Sequence, residues 1–271
     1  MCIAVFLWRC HPLYRFFLLH NRDEYHARPT EALSWWNGEG GQLLGGRDTL
    51  AGGTWLACSR NGKMAFITNV REIQNIPQAK TRGDLPIRFL QSTKSPLEFA
   101  EEVVKEVHLY NGFNLILADF LSESMVYLTN RPYKDSSYIS QVSPGIHVLS
   151  NASLDSPWPK ARRLRNGFVE LLNIHGDGEL PAREMADKLM MNDTKDEEES
   201  LLTGIYTPQF EYQLSSVFVD TDSPLGRYGT RSISALTVKS DWEMSFYERH
   251  LEDKAWKDKT VTFIIEADDR S

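Results

Sequence analysis

The order of the predicted strands and helices indicates an α+β layered sandwich. Runs of β-forming residues dominate the N-terminal part, helical stretches occupy the middle, and strands return in the last third. This order is typical of sheets that carry their helices in separate layers. The chain has 271 residues, 41% hydrophobic and 25% charged, which is an ordinary globular composition. No linker or repeat interrupts it, so residues 1–271 are predicted to form one domain.

The first two strands are predicted to form a hairpin. Residues 2–8 are an apolar, β-forming run. A turn at Pro12 separates them from a second strand, residues 15–20, which is followed by Asn21-Arg22-Asp23-Glu24 (the polar cluster). Antiparallel pairing places Cys2 opposite His20 or its neighbours, and therefore beside the polar cluster.

The next segment, from Trp35 to Gly53, is rich in Trp and Gly and is predicted to be a loop. Asn61-Gly62 predicts a hairpin between strands at residues 55–59 and 63–70. Ser95-Pro96 opens a helix whose buried face is predicted to contain Leu97, Ala100, Val104 and Val107. The remaining predicted elements are strands at 113–120, 125–129 and 146–149, helices at 156–172 and 183–191, and strands at 216–219, 232–240, 242–250 and 260–265.

The composition argues against several classes of protein. Lys and Arg number 30 against 37 Asp and Glu, a net charge of −7, which disfavours bulk nucleic-acid binding. No apolar stretch approaches the roughly 20 residues of a transmembrane helix. The positive charges follow the apolar start instead of preceding it, unlike a secretory signal, whereas the lack of acids before Asp23 leaves a mitochondrial address open.

The three cysteines are Cys2, Cys10 and Cys58, an odd number whose spacing does not suit zinc, so neither a disulfide framework nor a metal site is predicted. Cys10 and Cys58 are predicted to be packing residues. Cys2 differs, because removal of Met1 would give one residue both a thiol and an α-amine. The amine could then act as the base for the thiol nucleophile. The alternative is that Cys2 is a small buried residue at a strand start.

The polar cluster is the second candidate feature. Side chains alternate along a strand, so its four residues cannot all face solvent. Arg22 offers a planar cation suited to carboxylates or phosphates, and Asp23 could orient an amine or thiol. The alternative is a polar turn with an internal Arg22–Asp23 pair.

Other polar residues are candidates for the functional site, and each also has a purely structural interpretation. Asn69 and Asn151 end apolar strands, where an amide could donate to an oxyanion or cap a turn. The basic run from Lys160 to Arg165 could hold phosphates or form a solvated helix face. No spacing favours one axial haem ligand among His20, His26, Met64 and His147.

Several motifs occur together, in order, along nearly the whole chain: Met1-Cys2-Ile3, the polar cluster with Arg28-Pro29, Gly45-Gly46-Arg47-Asp48, Gly53-Thr54-Trp55, Asn69-Val70-Arg71, Arg82-Gly83, Ser150-Asn151-Ala152 and Thr230-Arg231-Ser232. With these motifs the chain resembles the transport and Golgi organisation 2 family, also called the NRDE family. The resemblance implies a four-layer αββα sandwich of the N-terminal-nucleophile-hydrolase type. It also implies links to Golgi organisation and secretion, haem trafficking and acyl-CoA or lipid homeostasis, in cytoplasm, mitochondrion or Golgi.

The wider fold is similar to that of cysteine amidases such as choloylglycine and penicillin V acylases. By motif, the resemblance implies catalytic positions at Cys2, Asp23, Asn69, Asn151 and Arg231. Two functions stay open. One is non-enzymatic handling of an apolar anion, haem or a fatty acyl-CoA. The other is a Cys2-dependent amidase or thioesterase. For the first, the predicted ligand-binding residues are His20, Asn21, Arg22, Asp23, Glu24 and Arg231.

Overall fold

The computed structural model describes residues 2–36, 43–73, 76–132, 136–197 and 205–266. The chain divides into two compact units. Unit 1 comprises residues 1–28, 144–150 and 154–262, and unit 2 comprises residues 29–143, 151–153 and 263–271. Each unit has an antiparallel sheet and helices packed against it, so the predicted α+β class is confirmed.

In chain order the described strands are β1 (Ile3–Trp8), β2 (Tyr14–Tyr25), β3 (Thr30–Trp35), β4 (Leu43–Asp48), β5 (Leu56–Ser59), β6 (Lys63–Asn69), β7 (Phe113–Asp119), β8 (Ser124–Thr129), β9 (Ile139–Gln141), β10 (Gly145–Leu149), β11 (Asp220–Ser223), β12 (Gly226–Lys239), β13 (Glu243–Glu252) and β14 (Ala255–Ile264). The described helices are α1 (Asp84–Gln91), α2 (Pro96–Val104), α3 (Pro159–His175), α4 (Ala182–Met190) and α5 (Pro208–Gln213).

The sheet of unit 1 has the strand order β10-β1-β2-β12-β13-β14, with β11 paired to β12. The predicted hairpin is confirmed, because Ile3 lies opposite Asn21 and Ala4 opposite His20. The predicted end of the second strand is wrong, since β2 continues through the polar cluster to Tyr25. The reason is β12, which pairs with β2 as far as Tyr25 and satisfies the backbone there.

The helices of unit 1 cover one face of this sheet. Phe17 and Leu19 of β2 and Ile233 of β12 pack in one core with Phe168 of α3 and Met185 of α4. Because side chains alternate along a strand, the even-numbered residues of β2 from Phe16 onward lie on the opposite face, whereas Tyr14, before a register irregularity, packs in the helix-side core. The polar cluster is therefore divided between the helix-covered face and the opposite face.

The sheet of unit 2 has the order β3-β4-β5-β6-β7-β8-β9, and α1 and α2 pack on it. The predicted Trp- and Gly-rich loop is partly wrong, because its residues 43–48 form β4; its residues 37–42 lie outside the described part of the chain. Glycine is needed at two positions of this strand, because a Cβ on Gly45 would lie 2.8 Å from the Ala57 Cβ, and one on Gly46 would lie 2.4 Å from the Trp55 ring. These glycines allow close packing.

Most other predicted elements are confirmed within a few residues. One exception is the strand predicted at 216–219, where the paired strand β11 begins only at Asp220. Another is the buried face of α2, which contains Phe99 and Val103, whereas Leu97 is 40% exposed. The Ser95 capping box fixes the start of this helix, and tertiary packing selects its buried face.

Candidate functional site

A β-bulge places Arg231 beside the polar cluster. In the pairing of β12 with β2, Thr230 lies opposite Asp23 and Ser232 lies opposite Arg22. Arg231 is the extra residue between these pairs. A bulge redirects a side chain and increases the local twist. Two predicted site residues far apart in sequence, Arg22 and Arg231, are thereby brought together.

Asp23 is buried, and its carboxylate is held from β12. Its Oδ1 accepts a hydrogen bond from the Thr230 hydroxyl at 2.7 Å. Burial raises the pKa of the Asp23 carboxyl, while the nearby Lys160 ammonium and the Thr230 hydrogen bond lower it. The pKa of Asp23 is raised overall, and the Lys160 ammonium and the Thr230 hydroxyl offset part of the cost of burying its charge.

Lys160 comes from the first turn of α3 and is only 2% exposed. Its Nζ donates to the carbonyl of Leu214 at 3.0 Å. The prediction of a solvated helix face is thus wrong for this residue, although Arg162 and Arg165 of the same run are exposed. Buried ammonium groups are generally paired with a charge, and the Asp23 carboxylate is a nearby opposite charge.

Cys2 precedes β1 and is half-buried. Its thiol donates to the backbone carbonyl of Asp23 at 3.9 Å, and its own carbonyl accepts from the Ser150 hydroxyl at 3.0 Å. Burial raises the pKa of the Cys2 thiol, and the Asp23 charge raises it further, whereas the Arg22 charge lowers it. The predicted proximity of Cys2 to the polar cluster is confirmed. Met1 lies outside the described residues.

Tyr228 is a site residue that sequence reasoning missed. Its hydroxyl donates to the carbonyl of Asp23 at 3.4 Å, the same carbonyl that the Cys2 thiol contacts. Its ring packs edge-to-face on Tyr25, the residue opposite it in β2. A tyrosine two residues before Thr230 could have been noticed, but only the register of β12 with β2 shows what it contacts.

His20 and Arg22 lie on the face of β2 opposite the helices. Both are at least 95% buried, and His20 lies between Ala4 of β1 and Ser234 of β12 in the sheet. Burial, together with the Arg22 charge, lowers the pKa of His20 to about 3. His20 is therefore a neutral residue near pH 7 and adds no positive charge to the site.

Arg231 is partly exposed, and Glu24 and Arg28 lie near it. Its Nη1 donates to the backbone carbonyls of Tyr25, at 3.3 Å, and of Arg28. Burial and the Arg22 charge lower the pKa of Arg231, and the Glu24 charge opposes that shift. Glu24 also forms a 3.9 Å ion pair with Arg28. Charges of both signs, from Arg22 and Glu24, thus lie near the Arg231 guanidinium.

Asn21 is buried on the helix-covered side and has a structural role. Its Nδ2 donates to the carbonyl of Met190, at 2.7 Å, and to that of Val217, at 3.0 Å. These bonds attach the end of α4 and the segment before β11 to the middle of β2. Contact of Asn21 with a ligand stays a prediction.

Asn69 and Asn151 belong to unit 2 and contact each other there. The Asn151 Nδ2 donates to the carbonyl of Asn69 at 2.7 Å, and the Asn151 carbonyl accepts from the Arg71 backbone at 2.9 Å. The Asn69 side chain is exposed, whereas Asn151 is buried. Their oxyanion role stays a prediction.

The other cysteines and histidines have distinct environments. Cys58 is buried, as predicted, but Cys10 is exposed, so the prediction that it is a packing residue is wrong. Met64 is fully buried, and His147 Nδ1 lies 2.7 Å from an Asp155 carboxylate oxygen.

Over the described residues, no three His, Cys, Asp or Glu side chains are grouped to hold a metal ion. Nor does the described part of the chain include a helix with the length and apolarity of a membrane span.

The fold and the site together define a class of α+β protein. In it, a cysteine before the first strand contacts the second strand, at a buried Arg-Asp pair of residues beside a β-bulge. The chain belongs to the transport and Golgi organisation 2 family, since the model of that family matches residues 1–253. The predicted family is therefore confirmed. A human relative, transport and Golgi organization protein 2 homolog, is 32% identical over 98% of this chain and 100% of its own length. A mouse homolog is 31% identical with the same coverage, and the Drosophila melanogaster protein is 27% identical over 92% of this chain and 91% of its own.

Two solved hydrolases also match at low identity. The C2A mutant of the conjugated bile acid hydrolase from Clostridium perfringens is 12% identical, with a TM-score of 0.46 over 98% of both chains. A Caenorhabditis elegans ortholog of N-acylethanolamine-hydrolyzing acid amidase is 13% identical, with a TM-score of 0.38 over 69% of this chain and 84% of that one. Likenesses at this level give no indication of the chemistry of this chain.

Proposed function

We propose that the chain binds an apolar anion, haem or a fatty acyl-CoA, and that Arg22 and Arg231 hold its carboxylate or phosphate groups. The observation behind the proposal is the bulge that brings these two like-charged side chains together. Two guanidinium groups repel each other when their site is empty, and an anion between them relieves that repulsion. The family name supports a role in Golgi organisation and transport; cytoplasm, mitochondrion and Golgi are the compartments in which we propose to look for it.

The local charge favours an anion although the whole chain is acidic. Arg22 and Arg28 add positive charge near Arg231, beside the Glu24 carboxylate, in a chain whose net charge is −7. His20 stays neutral and does not alter this balance. A guanidinium presents a fork of donors that matches carboxylate and phosphate oxygens. The adjacent Tyr25–Tyr228 ring pair offers apolar surface beside the charges.

The test is equilibrium binding to the purified full chain. Haem is titrated by its Soret absorbance and palmitoyl-CoA by calorimetry, with hexadecanol, which has no anionic group, as the matched control. We expect saturable binding of at least one anion, at least about tenfold tighter than hexadecanol and weaker at high salt. No Soret change with haem, together with no saturable palmitoyl-CoA binding, would refute the proposal.

The contact between Cys2 and Asp23 favours a second candidate, a thiol amidase or thioesterase with Cys2 as nucleophile. The thiol already lies 3.9 Å from the Asp23 carbonyl, at the end of a rigid strand. Because burial raises the pKa of this thiol, it needs a base, and an α-amine on Cys2 itself would provide one.

Two measurements separate this candidate from the first. Intact mass of the native protein shows whether Met1 is removed, and hydrolysis of palmitoyl-CoA is compared in wild type, Cys2→Ala and the control Cys10→Ala. The second candidate predicts a processed N-terminus and turnover that only Cys2→Ala abolishes. Turnover in Cys2→Ala equal to that of wild type would exclude a covalent role for Cys2.

A further inference from the structure

Tyr228 and Cys2 reach the same oxygen atom from two sides of β2. The Tyr228 hydroxyl lies 3.4 Å from the Asp23 carbonyl oxygen, and the Cys2 sulfur lies 3.9 Å from it. β2 stands between β1 and β12 in the sheet, so Cys2 approaches from one neighbour and Tyr228 from the other. Each donor is therefore one hydrogen bond from a shared acceptor.

The position of Tyr228 is fixed by its surroundings. Its ring centroid lies 5.1 Å from that of Tyr25, at an interplanar angle of 70°. The following residue, Gly229, allows the β12 backbone to approach Val219 so closely that an added Cβ would lie 2.1 Å from the Val219 carbonyl oxygen. Because the Tyr228 ring and the β12 backbone beside it are both packed, the Tyr228 hydroxyl stays near Asp23, at the end of β2 that Cys2 contacts.

We infer that Tyr228 is a positioning residue for Cys2, whose hydroxyl turns from the Asp23 carbonyl to the sulfur when the thiol ionises. The inference rests on the second candidate function, in which Cys2 reacts as a thiolate. A thiolate has no proton to donate and would be repelled by the carbonyl oxygen beside it. A hydroxyl donor offsets that repulsion, since hydrogen bonds to a charged group favour the ionised form.

The titration properties of the two groups agree with this role. Burial raises the pKa of the Cys2 thiol, so a donor that reaches the sulfur would favour its ionisation. Burial also raises the pKa of Tyr228 well above its ordinary value, and the Asp23 charge adds to the shift. A raised pKa keeps the Tyr228 hydroxyl protonated, and therefore able to donate, near neutral pH.

The experiment measures the rate of Cys2 alkylation by iodoacetamide from pH 6 to 10, in the full chain, by peptide mass spectrometry. Wild type is compared with Tyr228→Phe and with Tyr212→Phe, a control at a 39% exposed tyrosine of α5. The exposed Cys10 is an internal reference within each sample. Circular dichroism and the urea midpoint check that Tyr228→Phe, which loses one oxygen atom, is folded.

We expect the midpoint of the Cys2 profile to rise by about one pH unit in Tyr228→Phe, equivalent to about tenfold slower alkylation near neutral pH. Tyr212→Phe and all Cys10 rates should match wild type. An unchanged midpoint in Tyr228→Phe would overturn the role of Tyr228 and leave the thiol chemistry of Cys2 standing. A Cys2 that does not react in wild type at any pH would contradict both.

Discussion

The Thr230 hydroxyl of β12 donates a 2.7 Å hydrogen bond to the Asp23 carboxylate of β2, the strand that carries the polar cluster. The same hydroxyl accepts from the backbone of Val219 at 3.0 Å, and the Thr230 backbone donates to the Val219 carbonyl at 2.7 Å. One threonine thus joins β12, β2 and the segment before β11. This connection keeps the buried acid in place beside Cys2.

Thr230→Val should destabilise the protein by about 1–3 kcal/mol, because a buried carboxylate oxygen and a backbone N–H each lose a partner. Urea unfolding measures the change, with Thr221→Val as the control at an exposed hydroxyl that bonds only locally. If both variants unfold at the wild-type midpoint, the Thr230 bridge does not stabilise the site.

Asn21→Ala should cost about 2–4 kcal/mol of unfolding free energy, since two buried carbonyls, those of Met190 and Val217, lose their donor. The matched control is Asn166→Ala, at an exposed position of α3, where alanine is a good helix former. Chemical denaturation compares the two variants. Equal stabilities would refute the structural role of Asn21.

His20 should make the folded state sensitive to acid. Its folded pKa is about 3, whereas an unfolded histidine binds a proton near pH 6.5. Between those values the unfolded chain binds more protons, so stability falls as the pH drops, by up to about 1.4 kcal/mol per pH unit. His20→Gln lacks this contribution, and its unfolding free energy should decrease less than that of wild type between pH 6.5 and 4.5. Parallel curves for the two proteins would contradict the assignment.

The hairpin of β1 and β2 could be predicted because runs of β-forming residues and a Pro turn are local signals. Antiparallel pairing of these two strands is enough to predict that Cys2 lies close to Asp23, as it does in the structure. The family motifs identified the same residues independently. This part of the site is encoded in short stretches of sequence, and the structure confirms it.

The rest depends on contacts between distant segments. β2 extends to Tyr25 only because β12, some 200 residues later in the chain, pairs with it. Lys160 is buried because α3 packs over β1 and β10, which a basic run of sequence cannot reveal. Tyr228 enters the site through the strand register and the bulge at Arg231. Neither register nor bulge has a local sequence signature strong enough to predict it.

The proposed anion site is tested most directly by comparing two arginines of β12. Arg231 lies at the bulge, whereas the exposed Arg227 is paired with Asp220 through two hydrogen bonds at 2.8 and 2.7 Å. The affinity for palmitoyl-CoA, or for haem if only haem binds wild type, is measured in Arg231→Gln and Arg227→Gln, with the urea midpoint of each variant as the folding check.

Loss of one charge-assisted hydrogen bond, worth about 1.5–3 kcal/mol, should weaken binding by about 10- to 100-fold in Arg231→Gln. Arg227→Gln should bind within about twofold of wild type. Equal affinities of wild type and a folded Arg231→Gln protein would contradict the proposed role of the Arg22–Arg231 pair.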